Sequence, residues 1–78
     1  MQDLLLVGPA LQPSDFLDLC RAVKPESVLF HPETTALRIK AINAAAADQL
    51  EAQAQGKAVD CLRLSAELSI QNVRLIAL

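Results

Sequence analysis

The order of apolar and polar positions divides this chain into six short elements. Asp3 to Val7 is a nearly continuous apolar run closed by Gly8-Pro9, which fits a buried central strand, β1. Pro13 suits the first turn of a helix and Asp15 its positive end. Phe16, Leu19 or Cys20, and Val23 then recur at three- and four-residue spacing, with Asp18 and Arg21 off that stripe. The spacing predicts a first helix, which Pro25 ends.

From Ser27 the period drops to two. Val28 and Phe30 alternate with Leu29 and His31, and after Pro32-Glu33-Thr34-Thr35 the residues Leu37, Ile39 and Ala41 alternate with Arg38 and Lys40. Two strands joined by a polar turn predict a hairpin, β2 and β3. Asn43 is a fitting N-cap for an Ala-rich second helix carrying Ala47, Leu50 and Ala54 on one side, with Gly56 as its stop. Alternation over Val59 to Ser65 predicts β4. The order βαββαβ predicts an α+β, ferredoxin-like domain: a four-stranded antiparallel sheet in the order 4-1-3-2, with two helices on one face.

Length narrows this picture. At 78 residues the chain is a single domain, whose core supplies only about 3 to 5 kcal/mol. Its aromatics are Phe16 and Phe30 alone, so the core is aliphatic. Seven basic and nine acidic residues give a formal charge of −2, and the basic residues are scattered, which argues against nucleic acid as a partner. No segment approaches the roughly 18 apolar residues of a membrane span, and no positively charged n-region opens the chain. The expectation is a cytoplasmic protein without a membrane partner. Cys20 and Cys61 could pair, but in that setting reduced, structural thiols are the simpler reading, since there is no CxxC and only one His to complete a ligand set.

The chemistry-bearing residues are few. No Ser/His/Asp, Cys/His or paired-carboxylate constellation can be assembled, so no catalytic residue and no metal ligand is assigned. His31, just before Pro32, reads as an exposed turn residue. Arg38 and Lys40 read as solvated positions on the outward face of β3. Alternatively, that face, with Leu29, Ile42 and Leu62 or Leu64 beside the charges, packs on a partner domain or on a second copy of the chain.

Glu67 to Asn72 is mixed and polar, whereas Val73-Arg74-Leu75-Ile76-Ala77-Leu78 is strongly apolar and stops abruptly. That ending predicts a fragment: a domain over 1–66, then 67–78 as a linker plus the first strand of a missing domain.

The opening Leu-Leu-Leu-Val-Gly-Pro-Ala-Leu-Gln-Pro (Leu4 to Pro13) and the closing Val-Arg-Leu-Ile-Ala-Leu (Val73 to Leu78) together resemble the start of bacterial phosphoserine phosphatases that carry an N-terminal extension. The resemblance covers those two segments in detail and the whole chain in layout. It implies an ACT-like domain ahead of a haloacid-dehalogenase-type catalytic domain, whose first strand runs into an Asp-x-Asp-x-Thr/Ser loop. That loop lies beyond Leu78, so no catalytic role transfers to any residue here. The resemblance further implies a regulatory or assembly role in hydrolysing phosphoserine to L-serine, with the catalytic domain of the same chain as partner. Magnesium is implied in that domain, and no cofactor in this one.

Domains similar to ACT modules often bind small amino acids near the loop after β1. Gly8, Pro9, Gln12 and Ser14 are therefore the candidate ligand-binding residues, Gly8 permitting close backbone approach and Gln12 or Ser14 offering hydrogen bonds. The same residues also suit an ordinary strand-to-helix turn. Two other classes stay open: a free-standing ACT-like ligand-binding or protein-interaction module whose own last strand is Val73 to Leu78, and a small independent enzyme, the weakest of the three because titratable pairs are lacking.

Overall fold

A computed structural model describes residues 1–64 and 74–78. It is an α+β structure containing strands β1 (Gln2–Val7), β2 (Ser27–His31), β3 (Ala36–Ile42), β4 (Asp60–Leu64) and β5 (Arg74–Leu75), and helices α1 (Leu17–Val23) and α2 (Ala44–Gly56). The expected end of β4 at Ser65, the boundary at 66 and the polar stretch 67–72 lie outside the described residues. All pairings are antiparallel. Among the described residues the sheet has five strands in the order β4-β1-β3-β2-β5, which corrects the expectation of a four-stranded sheet ordered 4-1-3-2. The addition has a simple cause. β2 would otherwise be an edge with unpaired backbone groups, and the apolar residues after position 73 satisfy them.

The helices form where the sequence predicts, with shifted ends. Pro13–Asp15 is a separate 3-10 turn, because α1 begins only at Leu17. α1 closes at Lys24, whose N–H donates to the Cys20 carbonyl and whose left-handed backbone (φ 53) turns the chain out of the helix before Pro25. Asn43 caps α2: its Oδ1 accepts from the Ala46 N–H at 2.8 Å, satisfying one of the free donors at a helix start. Gly56 is the last residue of α2, and the stop falls at Lys57.

The core lies between the sheet and both helices. Leu4 and Leu6 of β1, Val28 of β2, and Leu37 and Ile39 of β3 meet Phe16, Cys20 of α1, and Ala46, Ala47, Leu50 and Ala54 of α2. Alternation explains most of this face, and one bulge explains the rest. Leu4 pairs with Ile39 but Gln2 pairs with Ile42, so β3 carries one extra residue there. Ala41 takes a positive φ of 60 at that point. The bulge turns Ile42 toward the helices, where it is buried, and not onto the opposite face where uninterrupted alternation places it.

Candidate functional site

The candidate residues Gly8, Pro9, Gln12 and Ser14 lie in one loop between β1 and α1. Gly8 follows β1 with φ 150, a backbone conformation that side-chain-bearing residues rarely adopt. Its N–H donates to the Thr35 carbonyl at 3.4 Å, and its carbonyl accepts from the Leu11 N–H at 3.1 Å. Leu11 is buried and anchors the turn, while Pro9, Gln12 and Ser14 are exposed. Gln12 precedes the 3-10 turn without capping it through its side chain. The Asp15 carbonyl is held from α2 by the Gln53 side-chain amide. The loop is thus fixed at its ends, and the side chains of Gln12 and Ser14 face water. Chemically they offer an amide and a hydroxyl, suited to hydrogen-bonding a small zwitterion.

A second group of polar residues sits on the sheet face opposite the helices, and sequence reasoning missed it. Arg38 is 2 % exposed, the least exposed charged residue described, so it is not the solvated strand position expected of it. Its Nη2 donates to Asp3 Oδ2 at 2.9 Å, while Asp3 Oδ1 accepts from the Ala41 N–H at 3.0 Å. The β3 bulge therefore presents an N–H to the carboxylate. Burial alone would push the Asp3 carboxyl up, but the Ala41 N–H and the Arg38 guanidinium outweigh it and hold it below the usual carboxylate value.

His31 shares that face, because β2 pairs with β3 through Leu29↔Arg38 and His31↔Ala36. Its side chain is buried, at 5 % exposure, instead of standing free in the turn. Among the described residues neither ring nitrogen has a hydrogen-bond partner. Burial, and then the nearby positive charge of Arg38, push its pKa below the ordinary histidine value. The sequence does carry a signal for the group: Arg38 and His31 fall at alternate positions facing away from the apolar stripe. Periodicity gives that side, but not its burial.

The remaining features are simpler. Both cysteines are free thiols; Cys20 lies in the core with its pKa pushed up to about 11 by burial, which leaves it un-ionised and unreactive near neutrality. Burial likewise raises the Cys61 thiol, with a further push from Glu51 partly opposed by Arg63. A shallow cleft of about 240 Å³ opens between α1 and α2, lined by Ala22, Val23, Asn43, Ala45, Ala46 and Gln49. Among the described residues no three His, Cys, Asp or Glu side chains converge as a metal site. Among them, too, no helix is long and apolar enough to cross a membrane.

No protein-family model, curated protein or solved structure matches the chain.

Proposed function

We propose that the chain is a ferredoxin-like, ACT-like accessory domain of a cytoplasmic phosphoserine phosphatase, non-catalytic itself, that regulates or assembles the catalytic domain. The observation that carries this reading is the loop from Gly8 to Ser14, held by backbone hydrogen bonds at Gly8 and Leu11 with the polar side chains of Gln12 and Ser14 open to solvent. It lies between the first strand and first helix of an α+β unit, and all of it but Ser14 falls in the Leu4 to Pro13 segment that resembles the phosphatase family. The ligand of the proposal is L-serine, the product of the parent reaction, its carboxylate and ammonium matched by one donor-acceptor amide and one hydroxyl.

Amide chemical shifts of the labelled chain during an L-serine titration test the loop. Movement confined to Gly8 through Ser14 is expected, and an unchanged loop at millimolar serine overturns ligand binding there. Reading the gene past the codon for Leu78 tests the parentage. An Asp-x-Asp-x-Thr/Ser motif directly after that codon is expected, and any other sequence overturns it.

One observation favours a second reading, a free-standing interaction module. Arg74 and Leu75 pair with β2, and the Ile76 N–H donates to the Val28 carbonyl at 2.9 Å. The tail thereby completes this domain's own sheet. Hydrogen exchange discriminates: protection of the Ile76 amide equal to that of β1 supports the module, and exchange at the rate of an open chain removes it.

A further inference from the structure

The outer edge of β2 differs from every other strand contact in the sheet. β1 with β3, β1 with β4, and β2 with β3 each register five residue pairs, whereas among the described residues β2 with β5 registers two, Leu29↔Leu75 and Phe30↔Arg74. One further backbone bond, from the Ile76 N–H to the Val28 carbonyl, extends the contact. Of the five tail residues described, only Ile76 packs against the core cluster. Leu75 is 72 % exposed and Arg74 stands in solvent. The site thus reads its occupant through backbone hydrogen bonds and one aliphatic side chain, which is the chemistry of strand addition.

We propose that the outer edge of β2 is a strand-acceptor site for an extended aliphatic segment, filled within one chain by residues 74–76 and, at high concentration, by residues 74–76 of a second copy. The choice of occupant follows from the structure itself, which shows Arg74-Leu75-Ile76 seated on this edge. A second copy supplies the identical segment and an identical vacated edge, so reciprocal exchange closes as a two-fold dimer without any new contact at the site. The short ladder makes the segment exchangeable: among the described residues, the Ile76 side chain and a few backbone bonds are the contacts that hold residues 74–76 on the edge. This inference rests on the β2 edge alone; it accords with the free-standing module and draws nothing from the phosphatase reading.

Sedimentation of the full chain from micromolar to millimolar concentration is the first test. The 8.4 kDa monomer is expected to give way to a species of twice that mass, and Ile76→Asp is expected to abolish it. A monomer throughout, or a dimer untouched by Ile76→Asp, overturns exchange between copies. The second test separates loss of the site from loss of the fold. Labelled Ile76→Asp chain, shown by its β1 and β3 amide dispersion to be folded, is titrated with the synthetic peptide Val-Arg-Leu-Ile-Ala-Leu. Shifts at Val28, Leu29 and Phe30 are expected, and their absence overturns the acceptor site. Isotope-filtered contacts between Leu75 of one copy and Leu29 of the other are expected in the dimer, and a dimer lacking them overturns the exchange.

Discussion

The two faces of one sheet bury their central residues by different chemistry. Toward the helices, Leu4, Leu6, Leu37 and Ile39 are enclosed by side chains as apolar as themselves. On the other side, the same sheet presents Asp3, Arg38 and His31 among Leu5, Leu29 and Leu62, as the strand registers show. The helix face gains from burial directly, by roughly 25 cal/mol per Å² of apolar surface. The opposite face gains only if each polar group finds a partner, since a buried unpaired group costs about 1 to 3 kcal/mol. The Asp3 carboxylate and the Arg38 Nη2 meet that condition through each other and the Ala41 N–H, whereas among the described residues the His31 ring nitrogens do not. One face therefore holds the fold, and the other makes its stability depend on charge state.

Substitutions can break this contrast, beginning with the helix face. Ile39→Ala is expected to cost about 2 to 5 kcal/mol by leaving a cavity. A domain of this size has about 3 to 5 kcal/mol in all, so loss of amide dispersion is the expected outcome. Leu62→Ala, on the other face and 51 % exposed, is expected to change stability by no more than about 0.5 kcal/mol. Equal urea midpoints for the two variants would erase the distinction.

Next in size is the ion pair. Asp3→Ala removes the carboxylate 2.9 Å from the Arg38 guanidinium, which is 2 % exposed, and losing one hydrogen-bonded partner of a buried group costs about 1 to 3 kcal/mol. The double variant Asp3→Leu with Arg38→Met is expected to recover most of that loss in urea denaturation. The pH dependence follows in sign. Because the folded Asp3 carboxyl lies below its ordinary value, the unfolded chain binds the proton more readily. The stabilisation is complete above the unfolded carboxyl pKa, about 3.9, and is lost as pH falls from there through the folded value.

His31 titrates in a separate window. Its folded pKa lies below the ordinary 6.5, so the fold favours the neutral ring and stability declines as pH falls through about 6.5 toward the folded value. His31→Leu is expected to remove that slope below about pH 6.5 and to raise stability at neutral pH by about 1 kcal/mol, because two nitrogens without a partner among the described residues disappear. A slope unchanged in the variant would place the pH sensitivity elsewhere.

The smallest effect is expected on the rim of the helix face. Arg63 reaches Asp48 and Glu51 on α2 and Gln2 on β1, all at the surface. Arg63→Ala should shift the urea midpoint least of all, and the shift should vanish in molar salt, where exposed pairs are screened.

Residues whose environment is set by near neighbours are legible in the sequence. The alternation of β2 and β3, the Asn43 cap, and the turn at Gly8 follow from backbone sterics, periodicity and local hydrogen bonding, which act within a few residues. The candidate loop is legible for the same reason, since Gly8, Pro9, Gln12 and Ser14 lie close together along the chain. The Asp3–Arg38 pair is not, because it joins residues 35 positions apart. It also depends on the Ala41 bulge, which breaks the alternation from which a sequence reading works.

What the chain determined by itself is the kind and order of its main elements and the apolar side of each strand. Tertiary structure alone decided that Ile42 turns inward, that Arg38 and His31 are buried, and that residues 74–75 add a fifth strand beside β2. The physical reason is range. Helix and strand preferences are settled by neighbours along the backbone, whereas the burial of a charge or the pairing of an edge is settled by whatever distant segment arrives there.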